Sequence, residues 1–191
     1  VKSLARFYLS GRLNRMSGTL EVITGPMFAG KTQTLLARVR LASSRGLRTG
    51  LYKPITDTRV ASAEVKTHAG DKMAAEWCQP DGSTIDTSLD LIALDEVQFF
   101  HPGIVSLLLS CVKSGSSIVV AGLDLTSTGE PFGPMPALMA VADHIEKLTA
   151  PCSVCGGVGT RSYRRSASTD TILIGGADFY EPRCLPCFVG V

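Results

Sequence analysis

Eight consecutive residues, Gly25-Pro26-Met27-Phe28-Ala29-Gly30-Lys31-Thr32, follow the pattern G-x-x-x-x-G-K-[ST]. The chemistry of such a run is anion capture. Glycines let backbone N–H groups turn inward around phosphate oxygens, and a helix beginning there adds partial positive charge. The lysine reaches the β- and γ-phosphates, and the hydroxyl that follows it ligates Mg²⁺. Gly25, Met27, Phe28, Ala29, Gly30, Lys31 and Thr32 are therefore the expected ATP and Mg²⁺ contacts. A chance glycine turn ahead of a helix is the bland alternative, and it leaves the Lys-Thr pair unexplained.

A second group is Asp95-Glu96, which closes the nearly continuous apolar run of residues 89–94. A carboxylate at the end of a buried strand beside a phosphate loop holds Mg²⁺, directly or through water. Asp95 fits that role. Glu96, one step on, points differently and is free to take a proton from whatever attacks the γ-phosphate. If the attacker is water, the protein is an ATPase; if it is a substrate hydroxyl, the protein is a kinase. The dipeptide serves both, and a solvated acidic turn is the structural alternative.

The third group is cysteine. Cys152-x-x-Cys155 and Cys184-x-x-Cys187 are separated by 28 residues. Each pair can form a knuckle that supplies two thiolates, and two knuckles make a closed tetrahedral Zn²⁺ site. A closed site has no position for water, so the metal is expected to be structural. It would anchor both ends of a segment too short for its own core. Two disulfides or a redox C-x-x-C are the alternatives, and a phosphate loop points instead to a reducing compartment. Cys78 and Cys111 stand alone in apolar surroundings and read as core.

These groups must be held by a scaffold. Residues 19–24 read as a strand. Residues 31–44 read as a helix, with Leu35, Val39 and Ala42 on one face and Gly46 to stop it. Strands follow at 49–53, 89–94, 117–121 and 145–149, and helices at 102–114 and 136–144. Residues 55–83 are polar and read as an excursion with little regular structure. Strand and helix alternate, so the fold class is α/β: a P-loop (RecA-like), mainly parallel sheet with a small C-terminal zinc-binding unit. Ligands in such sheets bind beyond the carboxyl ends of the strands. Residues 25–32, 53–59, 95–99 and 122–133 all follow predicted strands and are expected to converge there.

The chain has 191 residues, of which 45% are apolar, enough for one domain and an appendage. The expected division is an N-terminal extension at 1–17, a P-loop α/β domain at 18–150 and a zinc unit at 151–191. A net charge of +2 gives no broad basic field, so no nucleic-acid partner is expected. Residues 1–17 carry Lys2, Arg6, Arg12 and Arg15 without an acid. They read as a flexible tail or an expression remnant, with organelle targeting as the alternative, and Met16 is a possible start. No apolar run approaches the roughly eighteen residues of a membrane span, and a cytoplasmic location is expected. His68, His101 and His144 have no partner at metal spacing in the sequence, and Trp77 reads as packing.

Together the motifs resemble the type II thymidine kinases, over about residues 18–188. The likeness rests on G-P-M-F-A-G-K-T, K-P-x-x-D-x-R from Lys53 to Arg59, Thr67-His68, D-E-x-Q-F-F from Asp95 to Phe100, and G-L-D from Gly122 to Asp124. It continues in P-F-G from Pro131 to Gly133, the two C-x-x-C pairs, and I-G-G-A-D-x-Y from Ile174 to Tyr180. The resemblance implies ATP and thymidine as substrates, dTTP as feedback inhibitor, Mg²⁺ with ATP, structural Zn²⁺ and a homotetramer. It implies Glu96 as general base on the thymidine 5′-hydroxyl and Arg59 beside the reacting phosphate. Asp57, Asp95 and Gln98 join the ATP and Mg²⁺ residues. Met27, Leu123, Phe99, Phe132, Ser127, Ser162, Thr171, Ile174, Gly175, Gly176 and Tyr180 are implied to bind the nucleoside, several of them on a lasso loop after Cys155. This chain departs from the family's usual residues at Ser127 (an aromatic), Ser162 (Thr) and Val60 (Tyr).

Two other classes fit parts of the pattern. A P-loop ATPase with a nucleic-acid-binding zinc ribbon shares Asp-Glu and the cysteines, but the modest charge stands against it. A nucleotide sensor that has lost catalysis is opposed by intact Lys31, Thr32, Asp95 and Glu96.

Overall fold

A computed structural model describes residues 18–56, 64–66, 70–165 and 179–190. Strand β1 (Leu20–Thr24) leads through the phosphate loop into helix α1 (Lys31–Ser44). Then come β2 (Thr49–Pro54), β3 (Glu64–Lys66), β4 (Lys72–Ala74), β5 (Glu76–Cys78) and β6 (Leu91–Leu94). A 3₁₀ turn at Val97–Phe99 precedes α2 (Ile104–Lys113), β7 (Ser117–Gly122), α3 (Met135–Val141) and β8 (His144–Lys147).

The central sheet has the order β5-β2-β6-β7-β1-β8, and every neighbouring pair in it is parallel. Parallel strands need helical crossovers, which cover both faces and make the strands apolar on both sides. The burial alternates accordingly. Leu20, Val22, Ile92, Leu94, Ile118 and Val120 face α2 and α3, through Ile104, Leu108, Cys111, Met135 and Leu138. Ile23, Leu91, Ala93, Val119 and Ala121 face α1, through Leu35, Leu36, Val39 and Ala42. Cys78 and Cys111 are core, as expected, and burial pushes both thiols up.

Two details differ from the sequence reading. Residues 55–83 hold more regular structure than expected: β3 and β4 pair as an antiparallel hairpin, and β5 joins the central sheet beside β2. Three-residue strands are too short to leave a periodic signal, and only the neighbour's open edge fixes them. The helix expected at 136–144 ends at Val141, and His144 opens β8, paired with Glu21 of β1.

Beyond the sheet, β9 (Ala150–Pro151) pairs with β10 (Val158–Gly159), and β11 (Arg161–Arg164) with β12 (Tyr180–Arg183), both antiparallel. Helix α4 (Leu185–Val189) closes this small unit. No helix among the described residues is long and apolar enough to cross a membrane.

Candidate active site

The phosphate loop leaves β1 at Gly25, whose φ is +133° and whose missing side chain lets the backbone approach Leu148. A Cβ on Gly25 would lie 2.2 Å from the Leu148 carbonyl oxygen. Helix α1 starts at Gly30 in the left-handed region, with no side-chain cap and no acidic residue in its first turn. Glycine at this position costs only about a few tenths of a kcal/mol against a capping Ser, Thr, Asn or Asp. Each fully buried Leu or Val of α1 returns roughly 1.5–3 kcal/mol, so packing holds the helix although its start is left open to an anion. Phe28 within the loop also has positive φ, 66°. The Lys31 ammonium spans the loop and donates to the Pro26 carbonyl at 2.7 Å.

The second carboxylate group meets the loop, as the sequence predicts. Thr32 Oγ1 lies 3.2 and 3.5 Å from the two carboxylate oxygens of buried Asp95, at the end of β6. A hydroxyl and a carboxylate held this close form a hard-oxygen corner of the kind Mg²⁺ takes. Glu96 follows at φ 52°, a left-handed conformation that a non-glycine residue adopts at a cost of roughly 1–3 kcal/mol. Its N–H donates to Asp95 Oδ1 at 3.1 Å. The turn thus sends the Asp95 and Glu96 side chains in different directions. Gln98 donates through Nε2 to Glu96 Oε2 at 2.5 Å and accepts through Oε1 from the Leu123 N–H at 3.0 Å.

Two of the residues expected around the nucleoside are in contact. Phe99 and Phe132 meet edge to face, with centroids 5.5 Å apart and an interplanar angle of 88°. Phe132 rides on a hairpin closed by the Leu125–Pro131 bridge and by Phe132 N–H to the Asp124 carbonyl. Ser127 is at its tip, in the turn closed by Gly129 N–H to Thr126 O, a position that suits a small polar residue. Ser162 of β11 is buried and accepts the Met27 N–H at 2.9 Å, so its hydroxyl ties the C-terminal unit to the phosphate loop. Tyr180 is buried at the start of β12, in register with Arg164. Asp57, Arg59, Val60, Thr67, His68, Thr171, Ile174, Gly175 and Gly176 lie outside the described residues.

Cys152, Cys155, Cys184 and Cys187 bring four sulfurs within 4.8 Å of one another, and Cys155 Sγ lies 3.6 Å from Cys184 Sγ. Backbone N–H groups of Cys184 and Cys155 pull the Cys152 thiol down to about 6. The Cys184 thiol and burial push Cys187 up to about 12. Four adjacent sulfurs cannot all ionise without a cation among them, and four thiolates are the donor set Zn²⁺ prefers. The group fits the expected structural zinc.

Sequence reasoning missed three features here. Lys147 Nζ lies 2.6 Å from buried Asp124, so the ends of β7 and β8 are joined across β1. Asp124 stood in a motif without a role, and its partner is identified only by the sheet order. The Ser162 bond to Met27 was missed for the same reason. Glu21, His144 and Glu146 also gather within 4.8 Å, correcting the reading that no histidine has a metal-spaced partner. Arg38 bonds both carboxylates, at 3.0 Å to Glu21 and 2.8 Å to Glu146, and already supplies the countercharge.

A phosphate loop at the carboxyl edge of a parallel sheet, a Thr-Asp pair beside it and a four-cysteine unit that could hold a metal ion define a P-loop α/β protein with a small C-terminal appendage. The family model for thymidine kinase matches residues 18–188. A thymidine kinase of Bacteroides fragilis (strain YCH46) is 35% identical over 176 residues, 91% of this chain and 88% of its own length. One of Bacteroides thetaiotaomicron is 34% identical over 177 residues, 92% of this chain and 89% of its own. The chain belongs to the thymidine kinase family.

Proposed function

We propose that the protein transfers the γ-phosphate of ATP to the 5′-hydroxyl of thymidine, giving dTMP, and that it accepts deoxyuridine as well. The observation that carries this reading is the Thr32–Asp95 corner with Glu96 turned away from it at φ 52°. One carboxylate faces the Thr32 hydroxyl, while its neighbour is held by a separate partner, Gln98, and is the one assigned to the substrate hydroxyl. Family membership then favours a nucleoside hydroxyl over water.

In this mechanism Lys31 and the loop N–H groups hold the ATP phosphates. Thr32 and Asp95 would hold Mg²⁺, which would supply charge neutralisation to the ATP phosphates. Glu96 accepts the proton of the 5′-hydroxyl as its oxygen attacks phosphorus in line. Arg59, beside the reacting phosphate, and Asp57 complete the donor side. Met27, Phe99, Leu123, Phe132 and Tyr180 enclose the base, together with Ser127, Ser162 and the loop holding Thr171, Ile174, Gly175 and Gly176. Most of the rate enhancement comes from positioning and charge neutralisation.

We further propose 18–150 as the kinase domain and 151–191 as a zinc and lasso unit. The resemblance also supports dTTP as feedback inhibitor, a homotetramer and a cytoplasmic location, without nucleic-acid or membrane partners.

The test offers labelled ATP and Mg²⁺ with each deoxynucleoside, and with single-stranded DNA in parallel. Label on thymidine is expected. Hydrolysis stimulated by DNA, with no phosphorylated nucleoside, overturns the reading. Glu96→Gln should lose transfer by roughly 10²–10⁴-fold, the usual weight of a general base, while still binding ATP. Near-normal transfer by that variant refutes the assigned base.

A further inference from the structure

We propose that Gln98 is a positioning residue that holds the Glu96 carboxylate against its substrate and couples it to the wall of the nucleoside pocket. This rests on the reading of Glu96 as general base. The side chain of Gln98 lies within a residue only 2% exposed, and its amide is engaged at both ends. Leu123 contributes a backbone N–H, which can only donate, so the amide atom facing it at 3.0 Å must be the oxygen. The NH₂ group is thereby turned to Glu96, 2.5 Å away. The chemistry of the partners fixes the amide's orientation. A donor aimed at a carboxylate oxygen fixes where that oxygen lies.

Two motif glycines meet at this residue. A Cβ on Gly122 would lie 2.6 Å from Gln98 Oε1, and one on Gly133 would lie 2.2 Å from the Gln98 carbonyl oxygen. The glycines of G-L-D and P-F-G therefore leave room for residue 98, its side chain in one case and its backbone in the other. Glu96 needs such support, since its left-handed backbone persists only where the surroundings hold it. Leu123, the other end of the relay, adjoins the expected base pocket. The amide oxygen, the atom a cation would take, is already committed to it. Gln98 thus acts through Glu96, in contrast to its expected grouping with the ATP and Mg²⁺ contacts.

The test uses the full chain carrying Gln98→Leu, which keeps volume and removes both bonds. Single-turnover transfer from ATP·Mg²⁺ to thymidine should fall roughly 10- to 100-fold, the scale of a lost charge-assisted hydrogen bond. The dissociation constant for ATP·Mg²⁺, from equilibrium dialysis of labelled ATP, should stay within about twofold, as it would not for an ATP contact. In a Glu96→Gln background, adding Gln98→Leu should change the residual rate little, because both act at one step. Gln98→Met, unbranched and without the amide, replaces the leucine variant if that one does not fold. A full transfer rate, or weakened ATP binding with transfer intact, overturns the proposal. If Glu96→Gln is active, the base reading fails; if it is inactive while Gln98→Leu transfers normally, only the Gln98 proposal fails.

Discussion

The bond from Met27 N–H to Ser162 Oγ joins residues 135 apart in sequence and links the C-terminal unit to the phosphate loop. Ser162→Ala removes the acceptor and places a methyl group in front of a part-buried N–H. Ser162 is only 4% exposed, so water reaches the gap poorly. An unpaired buried donor costs about 1–3 kcal/mol, and the part-buried setting of this one favours the lower half, about 1–2 kcal/mol. That corresponds to a loss of roughly 5- to 30-fold if the loop must be reordered whenever substrates bind. The assay is kcat/KM for thymidine at saturating ATP, together with a thermal melt. The melting temperature should fall by roughly 2–8 °C for a chain of this size. Ser162→Thr keeps the hydroxyl and should retain most of the activity. If Ser162→Ala leaves both kcat/KM and the melt unchanged, the bond does not hold the loop and the reasoning is wrong.

Two further outcomes follow from the same geometry. The protein should carry about one zinc per chain, and zinc should dissociate as pH falls from about 7 to 5. Protons then compete with the metal for the four thiolates. Cobalt substitution followed by thiolate-to-metal absorbance reads this directly; occupancy that does not change with pH contradicts it. Gly25→Ala combines φ +133° with a Cβ placed 2.2 Å from the Leu148 carbonyl oxygen. It should lower stability by at least about 2 kcal/mol in urea unfolding, and a wild-type midpoint would count against the close approach.

Much of the site was legible because its chemistry is carried by neighbours in sequence. The loop from Gly25 to Thr32, the Asp95-Glu96 step and the paired cysteines each declare the chemistry they could do through residue type and short spacing. Asp95 facing Thr32 followed from the order of strand, loop and helix, and the structure agrees at 3.2 Å. The alternation of apolar strands and an amphipathic helix also gave the parallel sheet and the bounds of α1. The short strand β5 was not legible, since three residues carry no period and depend on the edge of β2 for their form.

The sequence by itself determined which groups could do chemistry: a phosphate loop, two adjacent carboxylates and four thiols. It did so because those properties belong to side-chain type and to spacing along the chain. Only the tertiary structure decided how the groups support one another. Gln98 lies between Glu96 and Leu123, Ser162 on Met27, and Lys147 on Asp124. Apart from Gln98 and Glu96, these partners come from distant segments and meet because the sheet order and the β11–β12 ribbon bring them together. Hydrogen bonds of this kind leave no periodic trace, and only the packed backbone determines which donor faces which acceptor.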